Sequence, residues 1–145
     1  MKKITIILAL VLTVSTSFAF TGGESVNNRT QATFNNEFTQ ATNPTWTVSK
    51  DFDKVSFSMN GQQLVAYYNK AGEFMAVTRN ISSLQLPANL RKSLKKVIGS
   101  SWITDLFEIT NLDDTSWYVT LETADTKIVL KSEGGRWTTF QHIDK

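Results

Sequence analysis

Hydrophobic positions along the chain change from a helical period to a strand period, and this order of periods occurs twice. Each predicted helix has an apolar face and is followed by a tryptophan on the next extended segment. The two sets are Phe34, Phe38, Ala41 and Trp46, and then Leu90, Leu94, Val97 and Trp102. They are offset by about 56 residues, a period that indicates a repeated supersecondary unit. The pattern therefore predicts one helix followed by several short strands, twice.

Both predicted helices have recognisable ends. The first runs from about Arg29 to Ala41 and is expected to end at Asn43-Pro44, because proline disfavours the helical region for the residue before it. The second opens at Leu86-Pro87 and ends at Gly99, a natural C-terminal cap. Its apolar stripe comprises Leu90, Leu94, Val97 and Ile98, and its opposite, solvated face carries Arg91, Lys92, Lys95 and Lys96.

Between the helices, apolar and polar residues alternate as in strands with one buried face. Asn60-Gly61 predicts a two-residue hairpin turn, since both positions need positive φ, and this turn sets Met59 opposite Gln62. The segment 69–72 predicts a type I turn with Gly72 in the left-handed conformation. This register assigns to the core face Phe57, Leu64, Ala66, Tyr68, Phe74 and Ala76. It assigns to the opposite face Val65, Tyr67, Met75 and Val77.

The second half continues with strands alone. The predicted strands are 102–109, 117–121, 127–131 and 136–143. At Glu133-Gly134-Gly135, loops of two and of three residues fit equally well, so the register of the last hairpin stays open. Consecutive strands joined by short turns must pair antiparallel. We therefore predict an α+β fold, a tandem helix-plus-antiparallel-strands repeat that forms one antiparallel sheet of seven or eight strands with two helices packed on one face.

The first residues have the features of a secretory signal peptide. Lys2 and Lys3 precede the apolar run 4–14, and Ser17-Phe18-Ala19 supplies the small residues that a signal peptidase recognises. The chain contains no cysteine, which excludes a lipoprotein anchor, disulfides and thiolate chemistry. The predicted divisions are a signal peptide over 1–19, a flexible leader over 20–28, and a single domain over 29–145 made of pseudo-repeats 29–81 and 87–145.

The net charge of +2 belongs to the predicted signal peptide. Without Lys2 and Lys3, 15 basic residues become 13, which equals the 13 acidic residues of the chain. The mature chain is therefore near neutral and offers no electrostatic case for binding nucleic acid.

Few residues suggest catalysis or metal binding. His142 is the one histidine, and no partner that could make it a general base is identifiable, so we interpret it as a surface residue. Asp105, Glu108, Asp113 and Asp114 form the densest acidic stretch, but they lack the spacing of a calcium-binding loop, and Asp113-Asp114 is typical of a turn. We therefore expect no enzyme activity, no metal site and no cofactor.

Aromatic and apolar residues offer two interpretations. The tryptophans at 46, 102, 117 and 137 are expected to anchor the helices to the sheet. An apolar patch on the sheet face away from the helices usually marks a contact surface. The predicted partner-binding residues are Val65, Tyr67, Met75, Val77 and Tyr118. Two alternatives stay open: loops or a dimer partner cover this patch, or the register is off by one residue.

Several turn, helix-end and tryptophan motifs occur together in this chain. They are Asn43-Pro44-Thr45-Trp46, Asn60-Gly61, the segment 66–73, Leu86-Pro87, Trp102, Phe107-Glu108-Ile109, Tyr118-Val119 and Gly134-Gly135-Arg136-Trp137. With them, the whole mature chain resembles the β-lactamase-inhibitor-like, PepSY-like family of small secreted proteins from Bacteroidetes-type bacteria. The resemblance implies a tandem α/β unit with one antiparallel sheet. In inhibitors of that shape the concave sheet face grips an enzyme, and related PepSY modules are thought to restrain peptidases. The shared motifs are structural, so no inhibitory residue is carried over.

We therefore expect a secreted, non-enzymatic binding module, located in the periplasm or outside the cell. It restrains a protein or peptidase partner of the cell envelope through the open face of its sheet. The alternative is a periplasmic small-ligand or envelope-stress binding protein that uses a pocket between the helix layer and the sheet.

Overall fold

Eight antiparallel strands form one continuous sheet, in which each strand pairs with its neighbours in sequence. The computed structural model describes residues 25–145. The strands are β1 (Thr42–Val48), β2 (Phe52–Met59), β3 (Gln62–Asn69), β4 (Phe74–Asn80), β5 (Trp102–Thr110), β6 (Thr115–Glu122), β7 (Thr126–Glu133) and β8 (Arg136–Asp144). Helix α1 (Asn28–Glu37) precedes β1, and a short 3-10 helix (Ser83–Gln85) and helix α2 (Ala88–Val97) connect β4 to β5. The predicted fold class is confirmed.

The folded part of the chain begins before the predicted domain boundary. The predicted signal peptide, 1–19, and the first residues of the predicted leader lie outside the described residues. Val26 is only 7% exposed, and the Asn27 side chain caps α1 by accepting the Arg29 backbone N–H at 2.6 Å. The part of the leader that the structure describes is therefore anchored to the fold.

Helix α1 is shorter than the sequence predicts. It ends at Glu37, because Phe38 leaves the helical region (φ −118°, ψ 61°) while its N–H still bonds the Phe34 carbonyl at 2.8 Å. Pro44 does not end the helix; it lies within edge strand β1, at an irregularity where Asn43 has a φ of 53°. Proline is tolerated at an edge strand because its missing N–H faces no partner strand there.

Helix α2 packs on the sheet through Leu90 and Leu94, which are both buried. The predicted position of Val97 in this stripe is wrong: Val97 is 46% exposed, and the neighbouring Ile98 packs against the core instead. The stripe therefore passes through 90, 94 and 98, spaced by four residues. Gly99 follows with a φ of 53°, as expected of a C-terminal cap. Neither described helix is long and apolar enough to cross a membrane.

The register of the first hairpin is confirmed, but that of the second contains a bulge. Met59 lies opposite Gln62, as Asn60-Gly61 predicts. In β3 and β4, Tyr67 pairs with Ala76 while Tyr68 pairs with Phe74, so one extra residue separates the two pairs. The predicted faces of Ala76 and Val77 are therefore wrong. Ala76 lies on the same face as Tyr67, and Val77 packs against the cluster beneath α1.

The structure fixes the register of the last hairpin, which the sequence leaves open. Glu133 pairs with Arg136 across a two-residue turn, whose glycines both have positive φ.

The tryptophans at 46, 117 and 137 pack on the helix side, as predicted. The prediction for Trp102 is wrong, because it is 52% exposed. A register shift between Ile103 and Asp105 separates Trp102 from the regular alternation of β5.

Each helix covers the half of the sheet that follows it in sequence. Phe34 of α1 packs edge-on against Phe57 and Trp46, with ring centroids 5.0 and 5.4 Å apart. The helix also rests on the β3–β4 turn, where Thr33 Oγ1 donates to the Gly72 carbonyl at 2.9 Å. A side chain at Gly72 would lie 3.0 Å from the Thr30 backbone nitrogen, and its φ is 78°. Glycine is therefore required where α1 meets the sheet.

The two halves join where β4 pairs with β5, through the register from Val77 opposite Thr110 to Asn80 opposite Phe107. At this seam the Arg79 guanidinium donates to the Glu108 carboxylate and also to Gln62 Oε1, at 3.0 Å. Glu108 also pairs with Trp117, which packs on the helix side. The ion pair therefore lies between the two helix-covered clusters and links both halves.

We predict that Glu108→Gln lowers the free energy of unfolding by about 1 kcal/mol, because a partly buried guanidinium loses its charged acceptor. Urea denaturation measures the effect. Asp113→Asn, an exposed turn residue, is the control and should change stability by less than about 0.5 kcal/mol. Equal effects of the two substitutions would show that the ion pair does not stabilise the seam.

Candidate partner-binding face

The sheet face opposite the helices, which we call the open face, has its own apolar cluster. Within residues 25–145 this cluster consists of strand residues alone, with no helix packed over it. Its members are Ala76, Phe107, Ile109, Tyr118 and Val129, with Phe140 packed against them. Each of the first five is at most 6% exposed, so these side chains and their strand neighbours bury one another without a second layer. We call this cluster the aromatic floor of the open face.

The predicted site residues divide between the two faces. Tyr67 lies on the open face, since it pairs with Ala76 of the open-face cluster. Val65 also lies there, because it pairs with Thr78, whose other partner is Ile109. Met75 is the extra residue at the β3–β4 bulge and is half-buried. The placement of Val77 on the open face is wrong, because the bulge turns it toward α1.

Tyr118 lies on the open face, as predicted, but it belongs to the floor rather than to an exposed patch. Its side chain is 4% exposed, stacks on Phe107 at a centroid distance of 5.3 Å, and meets Phe140 edge-on at 5.9 Å. The Lys131 amine lies 6.0 Å from the ring centre, at the limit of a cation–π contact. Burial raises the pKa of the Tyr118 phenol to about 12.

Tyr67 is the more accessible of the two predicted tyrosines, although it is half-buried. Its ring packs against Phe52 of β2 with centroids 6.0 Å apart, which orients the side chain on the open face. Burial raises the pKa of its phenol, and a hydrogen bond with Thr78 opposes that rise. Tyr67 is therefore neutral, oriented and partly accessible on the open face.

A charged row borders the other end of the open face. Trp102, Glu122, Lys127 and Ile143 are aligned across the last four strands. The Lys145 ammonium group donates a hydrogen bond to the Glu122 carboxylate at 2.9 Å, and the Thr104 hydroxyl donates another. Both contacts lower the pKa of the Glu122 carboxyl, and the contact with Lys145 has the larger effect. Exposed Trp102 also lies beneath the Lys145 amine, at 5.9 Å. This row gives the apolar floor a polar rim with one accessible aromatic ring.

The acidic stretch and His142, the candidates for metal binding or catalysis, do not form a cluster in the described part of the fold. Asp105 lies in β5, and Glu108 forms an ion pair with Arg79 at the seam. Asp113 and Asp114 lie in the β5–β6 turn, where Asn111 Oδ1 accepts hydrogen bonds from both of their backbone N–H groups. No group of three potential metal-ligating side chains occurs within the described residues. His142 is exposed and lies 3.5 Å from Asp144 of the same strand.

A separate cavity of about 480 Å³ lies at the other side of the sheet, between the first turn of α2 and the ends of β6 and β7. It is lined by Pro87, Asn89, Leu90, Asp114, Thr115, Ser116, Trp117, Lys131, Ser132, Glu133, Gly134 and Gly135. This position, between a helix and the sheet, is where the small-ligand hypothesis requires a pocket.

No protein-family model and no curated protein matches this chain. Solved structures do resemble it. A BLIP-like protein from Bacteroides fragilis aligns with a TM-score of 0.74 at 15% identity, over 86% of this chain and 89% of that chain. A DUF2874 family protein from Bacteroides ovatus aligns with a TM-score of 0.74 at 13% identity, over 84% and 89%. A candidate periplasmic protein from Bacteroides eggerthii aligns with a TM-score of 0.73 at 10% identity, over 83% and 90%. The resemblance to BLIP-like proteins is thus confirmed as a resemblance of fold.

Sequence reasoning missed most of the aromatic floor. The alternation pattern did not assign Phe107, Val129 or Phe140 to the predicted binding face. In the structure, Phe107 lies opposite Tyr118 in the β5–β6 pairing. The observed turn, residues 111–114, begins two residues before Asp113-Asp114, the turn that the sequence predicts, so the predicted turn did not give this pairing. Phe140 was not predictable, because it is the extra residue at a bulge in β8, between the partners of Val129 and Leu130.

We predict a measurable alkaline instability that depends on Tyr118. Its phenol has a raised pKa in the folded state, about 12 against 10.0, so the unfolded chain loses the proton first. Stability is therefore present below pH 10 and declines as the pH rises toward 12, by about 2 to 3 kcal/mol at most. Urea denaturation of the natural chain and of Tyr118→Phe at several pH values measures this slope. Parallel curves for the two proteins would contradict the prediction.

Proposed function

We propose that this protein is a secreted, non-enzymatic binding module that holds a protein partner of the cell envelope against the open face of its sheet. The observation that carries the proposal is the aromatic floor on a sheet face that no helix of the described chain covers. The floor itself is buried, but half-buried Val65 and Tyr67 and exposed Trp102 and Ile143 provide accessible apolar surface on the same face. Accessible apolar surface of this kind supports a contact site. The proposal assigns no catalytic residue, metal or cofactor to the chain.

The composition of the open face suits a protein surface. Val65 and Tyr67 provide apolar contact near the centre of the sheet, while Ser56 and Thr78, the partners of Val65 in the neighbouring strands, provide hydroxyl groups. Protein interfaces combine such an aromatic and apolar core with a polar rim, and tyrosine is enriched at their energetic centres. A small polar metabolite would leave most of this broad face unfilled.

The fold supports the same class of function. The solved structures with this fold include a BLIP-like protein and a candidate periplasmic protein. The proposal includes a periplasmic or extracellular location reached through the predicted signal peptide, residues 1–19. It also includes restraint of an enzyme such as a peptidase, which the family resemblance implies.

We predict that Tyr67→Ser reduces capture of the envelope partner at least tenfold, because a central tyrosine is a typical energetic anchor of an interface. The immobilised mature chain is incubated with envelope extract of the native organism, and the bound proteins are quantified by mass spectrometry. The melting temperature of the variant should fall by only a few degrees, since Tyr67 is half-buried.

Leu84→Ser is the matched control. Leu84 is 77% exposed and lies beside α2, where Arg91 Nη1 donates to its carbonyl at 3.3 Å, so it is an apolar residue on the helix side. This variant should capture the same protein as the natural chain. Loss of capture in Leu84→Ser but not in Tyr67→Ser would place the contact on the helices and refute the open-face proposal.

A further inference from the structure

Helix α2 carries a charge pattern that its fold does not require. Its ten residues include four basic ones and no acidic one. The basic residues are Arg91, Lys92, Lys95 and Lys96. Two pairs of them are four positions apart, so like charges are neighbours on the helix surface and destabilise the helix. None of the four side chains forms an ion pair within residues 25–145, so the fold does not compensate this repulsion.

The helix dipole explains only part of this pattern. Cations are favoured in the last turn of a helix, where Lys95 and Lys96 lie. Arg91 and Lys92 lie in the middle of α2, and the dipole effect does not extend beyond the last turn. The stability of the helix therefore does not account for these two charges, whereas a contact with an anionic group outside the chain would.

Three of the basic residues form one exposed surface, which we call the basic face: Lys92, Lys95 and Lys96. Leu90 and Leu94 are 1% and 3% exposed and pack α2 on the sheet. Because successive residues of a helix are about 100° apart, Lys92 and Lys96 lie opposite these leucines, with Lys95 beside them. Helix α2 packs on the sheet face opposite the aromatic floor, so the basic face is directed away from the open face.

The composition of the basic face suits a lipid surface better than a protein. Protein interfaces are depleted of lysine and have an aromatic or apolar core, and the basic face consists of lysines alone. Anionic headgroups need only positive charge near their phosphates. Clusters of at least four basic residues on an amphipathic helix are typical of binding to such headgroups.

Accessible apolar side chains border the basic face at both ends of α2. Leu84 is 77% exposed, and its carbonyl accepts a hydrogen bond from Arg91 Nη1 at 3.3 Å, which keeps it beside the helix. Val97 follows Lys96 and is 46% exposed. Apolar side chains next to lysines gain from the boundary between headgroups and acyl chains, and a nucleic acid offers no such layer. This combination therefore favours a membrane over other polyanions.

We propose that the basic face of α2 docks this protein on a membrane surface that contains anionic phospholipids. The phosphates of the headgroups contact Lys92, Lys95 and Lys96, and Leu84 and Val97 enter the headgroup layer. The contact does not rest on the proposed function, because it uses the opposite side of the sheet. Docked in this way, the protein turns its open face away from the membrane.

Vesicle sedimentation tests the proposal with the mature chain, residues 20–145, because the apolar run 4–14 of the predicted signal peptide would itself bind lipid. One set of vesicles contains equal parts of phosphatidylglycerol and phosphatidylcholine, and the other contains phosphatidylcholine alone. Each lysine near an anionic surface strengthens binding about fivefold, so we expect the anionic vesicles to bind about 100-fold more strongly. Salt at about 1 M, where the screening length falls to about 3 Å, should abolish the difference. Equal binding to both vesicles, binding to neither, or equally strong binding to double-stranded DNA overturns the proposal.

The variant Lys92→Gln/Lys95→Gln/Lys96→Gln locates the contact. It should weaken binding to the anionic vesicles about 100-fold. Its melting temperature should change little, because the lost repulsion within α2 and the lost interaction with the helix dipole oppose each other.

The matched control is Lys50→Gln/Lys54→Gln/Lys131→Gln, which removes the same charge from the β1–β2 loop and the open face. It should bind the anionic vesicles within about threefold of the natural chain. Equal loss in both triple variants would show that the net charge of the chain controls binding, and would overturn the proposal. Tyr67→Ser should bind the vesicles normally, and the triple α2 variant should capture the envelope partner normally, so this proposal and that of the open face fail separately.

Discussion

The pairing of β4 with β5 is the contact on which the rest of this structure depends. Without it the chain would form two separate helix-and-hairpin units, each with four strands and only one covered face. With it, the strands form one sheet of eight, and the Arg79–Glu108 ion pair lies where the two helix-covered clusters meet. The same pairing aligns Thr78 with Ile109 and so extends the open face across both halves.

Two helices of ten residues each can cover only one side of such a sheet. The other side must therefore be stabilised by its own side chains, and the stacked rings of Phe107 and Tyr118 do this at its centre. These rings are buried by their neighbours in the sheet, while Val65 and Tyr67 on the same face stay partly accessible.

The fold was largely predictable because its signals are local. Turn chemistry at Asn60-Gly61 and the apolar spacing of Leu90 and Leu94 fix the first hairpin and the second helix without tertiary information. The candidate site was less predictable, because its residues depend on strand register. A single bulge moves Val77 to the helix side, while Tyr67 stays on the open face. Alternation of apolar and polar residues cannot locate such bulges, since it assumes that every residue is paired.

The most direct test of the account is site-specific photo-crosslinking in the native envelope. A photoreactive amino acid is placed at Ser56 or Thr78 on the open face, and at Lys92 or Lys96 on the exposed side of α2. The account predicts that one partner protein is crosslinked from the open-face positions and not from the helix positions. A partner that is crosslinked only from α2, or equally from both sides, would contradict the claim that the uncovered face of the sheet is the binding surface.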